Sequence, residues 1–124
     1  MKIVNLTQHQ ATAEQMAAGV FNLEGIAMNT LKQNLTFTEI PSREEIINRV
    51  NIIVGIALAN GAEAAMIGGA PYLMPVLEQA LYKYGITPLY SFTQRETVEK
   101  VGENGEVVKT AVFRHIGFVE AVKL

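Results

Sequence analysis

Three apolar runs in this chain each end abruptly at a cluster of small or polar residues. The runs cover residues 3–4, 64–67 and 88–92, and the clusters follow directly at 5–9, 68–70 and 93–96. This pattern is typical of parallel strands in an α/β sheet. Ligands bind in the crevice beyond the carboxyl ends of such strands, because helix N-termini and free backbone N–H groups converge there. If the runs are neighbouring parallel strands, the sequence predicts that their clusters form one site.

Helix signals separate the apolar runs. Residues 12–15 fit a capping box that opens a short helix, and residues 42–60 begin with a second capping signal and carry apolar residues at helical spacing. A third helix is expected from about 71 to Gly85. Residues 20–40 show no single period, so their structure is left open, with a second strand as one candidate for the first part.

The C-terminal part of the chain predicts a β-hairpin. Two extended segments at 95–101 and 107–119 flank an Asn-Gly pair at 104–105, which is among the strongest hairpin signals, and a further strand is expected at 86–92. With right-handed crossovers, this order of elements gives an α/β fold. We expect a single domain over 1–124, folded as a three-layer Rossmann-like sandwich with a mostly parallel sheet and a C-terminal β-hairpin.

The composition narrows the classes of function. Of the 124 residues, 49% are hydrophobic and only 18% are charged, with a formal net charge of −2. The low share of charged residues indicates that some apolar surface is buried between subunits of an oligomer. We therefore expect a homodimer. No basic excess supports binding to duplex nucleic acid, although a few donors suffice for a small anionic ligand. Because there is no cysteine, disulfides, thiolate zinc sites and a cysteine nucleophile are excluded.

The sequence favours a cytoplasmic protein without membrane contact. No stretch approaches the roughly 20 apolar residues that span a bilayer. The first residues lack the long apolar stretch of a signal peptide.

The segment from Ser91 to Arg95, at the end of the third apolar run and the start of its cluster, offers the best candidates for phosphate chemistry. Ser91, Thr93 and Arg95 alternate in the sequence, so an extended segment points all three to one side. Arg95 is a candidate clamp for a phosphate group. The alternative for Arg95 is a surface ion pair with Glu96 or Glu99.

The other two clusters supply further candidate ligand contacts. Asn5, Thr7 and His9 follow the first strand and precede a helix cap, although Asn5 and Thr7 would also serve simply to satisfy the loop backbone. Gly68 and Gly69 would let a ligand approach the backbone closely. Their alternative is a tight strand-to-helix turn that needs glycine.

The two histidines of the chain, His9 and His115, are the candidate acid–base groups. Strand alternation places His115 beside Phe113, where burial against aromatic residues is the alternative to a function, and places Arg114 on the opposite face as a further candidate ligand contact. Two imidazoles with no third ligand nearby do not make a metal site, so no metal or other cofactor is expected. No Ser-His-Asp order or acid pair points to hydrolase chemistry.

An ordered set of segments resembles a known family over nearly the whole chain. The segments are Asn5-Leu6-Thr7-Gln8-His9 with Thr12 and Gln15, Gly68-Gly69, Pro88-Leu89-Tyr90-Ser91-Phe92-Thr93-Gln94-Arg95-Glu96, Asn104-Gly105-Glu106-Val107 and Phe113-Arg114-His115-Ile116-Gly117-Phe118. Together they resemble the small stand-alone CARF-type (CRISPR-associated Rossmann fold) proteins of type III CRISPR antiviral defence. Members of that group are dimers that bind cyclic oligoadenylate second messengers, and several cleave them as metal-independent ring nucleases.

The resemblance implies a mechanism in which the ribose 2′-hydroxyl attacks the adjacent phosphate in line. The protein then supplies geometry and charge stabilisation. Arg95 would stabilise the developing charge, and His9 or His115 would move a proton. The orienting and backbone contacts would come from Thr7, Ser91, Thr93, Gly68 and Gly69.

Two other functions are compatible with the same residues. One is a sensor or sponge that binds cyclic oligoadenylate without cleaving it. The other is an unrelated Rossmann-like nucleotide-binding protein or a purely structural dimer.

Overall fold

The computed structural model describes all 124 residues and contains five strands and four helices. In chain order they are β1 (Ile3–Leu6), α1 (Ala13–Ala17), β2 (Val20–Phe21), α2 (Gly25–Leu35), α3 (Arg43–Ala59), β3 (Ala64–Ile67), α4 (Met74–Lys83), β4 (Thr87–Val101) and β5 (Val107–Glu120). The strands form one sheet in the order β2-β1-β3-β4-β5. The first four strands of that order are parallel and β5 is antiparallel to β4.

This architecture confirms the predicted α/β class, the mostly parallel sheet and the C-terminal hairpin. The three apolar runs are neighbouring strands, because β3 lies between β1 and β4. The arrangement is consistent with a Rossmann-like fold. No helix is long and apolar enough to cross a bilayer.

The two faces of the sheet are covered unequally. On one face, a cluster of 17 buried residues joins α2, α3 and α4 to the strands through Val4, Leu6, Ala65 and Ile67. On the other face, the buried apolar cluster has only four members, and Ala11, Leu89 and Phe118 pack against it. The second face therefore has room for polar side chains.

The predicted helix signals act as expected at two N-termini. Thr12 caps α1 in a full capping box with Gln15. Ser42 caps α3 by accepting a bond of 3.1 Å from the backbone N–H of Glu45. The Glu45 carboxylate does not return to Ser42 but pairs with Arg49 at 2.8 Å, because Arg49 lies one turn further along the same helix.

Two parts of the chain differ from the sequence-based expectation. The stretch at 20–40, whose structure the sequence left open, contains the two-residue strand β2 and the helix α2. No side chain caps α2 at its N-terminus. The segments expected as two strands at 86–92 and 95–101 are one continuous strand, β4. A bulge lies opposite Phe92 and Thr93, where β5 has an extra residue.

The hairpin extends well beyond the parallel part of the sheet. β4 pairs with β3 only from Thr87 to Leu89, whereas it pairs with β5 as far as Val101. We call residues 93–115, the part of the hairpin beyond the bulge, the ribbon. Its turn is closed by a bond from the Gly105 N–H to the Gly102 oxygen at 3.0 Å, and Gly105 has φ of +80°, which glycine adopts without strain.

Candidate functional site

The ends of β1, β3 and β4 surround one cavity of about 660 Å³. The cavity opens there because β4 leaves β3 after Leu89. No carboxylate lines it. The lining consists mainly of hydroxyl, amide and glycine residues: Thr7, Gln8, His9, Gln10, Thr12, Gln15, Met66, Ile67, Gly68, Gly69, Ser91 and Thr93.

Asn5 holds the loop between β1 and α1, which borders this cavity, through hydrogen bonds of its buried side chain. It is 2% exposed, and its amide nitrogen donates to the His9 backbone oxygen at 2.7 Å and to Asn22 Oδ1 at 2.9 Å. Its oxygen accepts from the N–H and the hydroxyl of Thr7 at 3.0 and 2.7 Å. Every polar atom of the Asn5 side chain is thus used inside the chain, and Asn5 shapes the loop without lining the cavity.

Thr7 and His9 both line the cavity. The Thr7 hydroxyl is tied to the loop, since it lies 2.7 Å from Asn5 Oδ1 and accepts from the His9 N–H at 3.3 Å. The His9 imidazole is exposed and makes no side-chain hydrogen bond within the chain. His9 is therefore the imidazole that is directly accessible from the cavity.

A chain of hydrogen bonds crosses the cavity wall from α1 to the hairpin. Gln15 Nε2 donates to Ser91 Oγ at 3.0 Å, and Ser91 Oγ lies 2.9 Å from Nδ1 of His115. The His115 ring packs against Phe118, with 4.7 Å between centroids. Ser91 lines the cavity and His115 does not, so Ser91 connects His115 to the cavity.

Gly68 and Gly69 form the part of the lining that follows β3. Gly69 has φ of +155°, and a Cβ built on it would meet the Met74 side chain at 3.4 Å. The Gly69 N–H makes no backbone hydrogen bond within the chain, which leaves it as a donor for a ligand. Helix α4 begins only at Met74, so its first turn does not line the cavity.

The two candidate arginines lie on the ribbon outside the cavity lining. Arg95 is exposed, and it follows Ser91 and Thr93 on the same face of β4. It does not form the ion pair with Glu96 or Glu99 that was the alternative, because Glu96 pairs with Arg114 at 3.5 Å and Glu99 pairs with Lys109 at 3.8 Å. Arg95 is thus free of carboxylates, and Arg114 is not.

Sequence reasoning did not assign a site role to Gln8, Gln10, Thr12 or Gln15, all of which line the cavity. The signal for Gln15 is its position in the capping box combined with burial at 7% exposure. Asn5 and Gln15 are the only polar residues that are buried in this chain. No group of three or more His, Cys, Asp or Glu side chains is arranged to hold a metal ion.

The side chain with the most strongly raised pKa, Tyr90, does not line the cavity. Tyr90 packs against the larger core cluster, and its hydroxyl donates to the Glu78 carboxylate. Burial, together with the hydrogen bond to Glu78 and its negative charge, raises the pKa of Tyr90 well above the usual range. This tyrosine stabilises the contact of α4 with the sheet.

The fold and the cavity define an α/β protein with a candidate ligand site at the carboxyl edge of its parallel strands. The model of the family described as "Uncharacterized protein MJ1673 family" matches residues 1–119. The chain belongs to that family. Comparisons with curated proteins and with solved structures find no match.

Proposed function

We propose that this chain is a CARF-type protein that binds and cleaves cyclic oligoadenylate as a metal-independent ring nuclease. The observation that supports this most directly is the 660 Å³ cavity lined by hydroxyl, amide and glycine residues without a carboxylate. A phosphodiester favours such surroundings, because O–H and N–H donors stabilise its charge and carboxylates would repel it. The packing of α2–α4 on one face and the capped helix α1 near the other support a three-layer Rossmann-like sandwich.

The proposed step requires no nucleophile from the protein. The ribose 2′-oxygen forms a bond to the adjacent phosphorus while the bond from phosphorus to the 5′-oxygen breaks. The products are a 2′,3′-cyclic phosphate and a 5′-hydroxyl, since the 2′-hydroxyl loses its proton and the 5′-oxygen gains one. The protein contributes in-line geometry, a group that moves the proton and stabilisation of the charge on phosphorus.

The proposed roles go to candidates that line the cavity and to two residues, Arg95 and His115, that lie outside its lining. Ser91 and Thr93 line the cavity beside Thr7 and would orient the ribose and phosphate, while Gly69 offers its N–H. Arg95 carries a guanidinium free of carboxylates and would stabilise the phosphorus-centred charge. His9 reaches the cavity directly, and the other histidine reaches it through Ser91.

The second half of the site would come from a second copy of the chain. A two-fold ring on a two-fold dimer needs only half a site from each protomer. The hairpin supports this arrangement, because β5 is the longer of the two edge strands of the sheet and exposed strand edges favour pairing with another chain. The ribbon also exposes 69% of Phe113 and 76% of Val101, and an isolated two-stranded ribbon is only marginally stable in water.

The deciding experiment incubates purified protein with cyclic oligoadenylates of several ring sizes in the presence of EDTA and resolves the products by chromatography. We expect linear products that end in a 2′,3′-cyclic phosphate. A ligand that raises the melting temperature but stays intact would instead identify a sensor or sponge. If no ring size is cleaved or shifts the melting temperature, the proposed function is wrong.

A further inference from the structure

The buried side chain of Gln15 has a fixed orientation. Its Oε1 accepts the backbone N–H of Thr12 at 3.0 Å, and because an N–H can only donate, the oxygen of the amide must lie on that side. The amide nitrogen therefore faces Ser91 Oγ, 3.0 Å away. An NH₂ group only donates, so Ser91 must accept this bond.

Ser91 then has one hydroxyl proton left, and the only remaining group within hydrogen-bond distance is Nδ1 of His115 at 2.9 Å. If Ser91 donates to Nδ1, the bonds run in one direction from Gln15 to His115 and each polarises the next. If His115 donated instead, the Ser91 proton would have no acceptor within the chain. The first arrangement uses every group and requires a neutral His115 with its proton on Nε2.

We infer that Gln15 is a positioning residue that fixes the tautomer of His115 through Ser91. The consequence for catalysis rests on the proposed function. Ser91 would take the proton of the ribose 2′-hydroxyl while its own proton passes to Nδ1 of His115, so one O–H bond breaks, one N–H bond forms, and the serine is unchanged. The departing 5′-oxygen takes its proton from water, and His115 returns its own to solvent. The imidazole that does not line the cavity thereby becomes the proton acceptor, in preference to His9.

Gln15→Glu is the sharpest test, because it reverses the direction of the hydrogen bonds while keeping the capping box. Glutamate serves in capping boxes as well as glutamine does, with one oxygen accepting the Thr12 N–H. Its second oxygen has no proton to donate, so the Ser91 hydroxyl must turn and donate to it. Ser91 Oγ can then only accept from His115, which requires the proton on Nδ1.

The measurement is ¹⁵N NMR of the His115 ring in the ligand-free protein at about pH 8.5, where carboxylates are ionised and imidazoles are neutral. We expect the proton on Nε2 in the wild type and on Nδ1 in Gln15→Glu. Gln10→Glu is the matched control, since Gln10 lines the same cavity and is not a hydrogen-bond partner of Ser91 Oγ. It should leave the tautomer unchanged.

Two results would overturn the inference: a proton on Nδ1 in the wild type, or the same tautomer in the wild type and in Gln15→Glu. Should Gln15→Glu not fold, Ser91→Ala decides. The Nδ1 resonance must then move toward that of an imidazole nitrogen without a hydrogen bond, and an unchanged resonance contradicts the relay.

Kinetics separate this inference from the proposed function. If the wild type cleaves cyclic oligoadenylate, Gln15→Glu should lower kcat by about a hundredfold, the usual contribution of a proton acceptor, whereas Gln10→Glu should act mainly on KM through its added charge. An unchanged kcat in Gln15→Glu would refute the relay. A tautomer switch in a protein that cleaves nothing would retain the positioning role and reject the proposed function.

Discussion

Replacing Asn5 by alanine should destabilise the protein and release the loop between β1 and α1. The side chain makes four hydrogen bonds, of 2.7, 2.9, 3.0 and 2.7 Å, at a position that is 2% exposed. Each is worth about 1 kcal/mol net. The Thr7 hydroxyl can turn to the His9 backbone oxygen, 3.1 Å away, so about 3 kcal/mol should be lost.

The loss is measured by urea unfolding at a fixed protein concentration and by amide hydrogen exchange. For a chain of this length, about 3 kcal/mol corresponds to a decrease of roughly 12 °C in Tm. Exchange at the Thr7 N–H should accelerate, because it donates to Asn5 Oδ1. The control is Asn29→Ala, an exposed asparagine on α2, which should change stability by no more than about 0.5 kcal/mol.

A loss below about 1 kcal/mol, together with unchanged exchange at Thr7, would refute this account of the loop. It would mean that the loop backbone keeps its conformation without the hydrogen bonds of Asn5. Loss of stability without faster exchange would place the effect in the core and not in the loop.

Three further predictions concern the arginine, the ribbon and the buried tyrosine. Arg95→Ala should lower turnover of cyclic oligoadenylate by about a hundredfold while Arg43→Ala, at an exposed arginine on α3, leaves it unchanged; equal rates for both variants would remove Arg95 from catalysis. Phe113→Lys should shift a dimer to monomers in sedimentation velocity, whereas Ile40→Lys, at a residue 98% exposed outside the ribbon, should not. Because the pKa of Tyr90 is raised in the folded protein, its contribution to stability is complete below about pH 10 and declines as the pH rises above it. Tyr90→Phe should flatten this decline in urea unfolding, and an equally steep decline in the variant would show that other groups cause it.

The parts of the fold that the sequence predicts are those determined by local signals. The apolar runs at 3–4 and 64–67 lie in strands that are buried on both faces, and the capping residues of α1 and α3 act within a single turn. The sequence does not indicate helix α2, because no side chain caps its N-terminus and only three of its residues are buried, Met28, Leu31 and Leu35. The continuity of β4 also has no local signal, since it depends on pairing with β5.

The candidate site is predictable only in outline for a related reason. Strand geometry alone predicts two features of the site. It places Ser91, Thr93 and Arg95 on one side of a strand, and it brings three strand ends together. The contact of Gln15 with Ser91 joins residues 76 positions apart, and no spacing rule predicts it. Gln15 also satisfies a capping box, so its sequence signal is fully explained before its second hydrogen bond is considered.

One face of the sheet provides most of the apolar burial, and the other face carries the candidate site. The apolar cluster with α2–α4 provides most of the burial that drives folding, and hydrophobic contacts of that kind tolerate exchange of one apolar residue for another. The other face has few apolar contacts. Of the two buried polar residues of the chain, Gln15 lines the cavity and Asn5 holds the loop that carries Thr7 and His9. No buried side-chain polar atom is left without a partner. Directional hydrogen bonds, unlike apolar contacts, fix the orientation of each group they join, which is what a site that positions a loop and an imidazole requires.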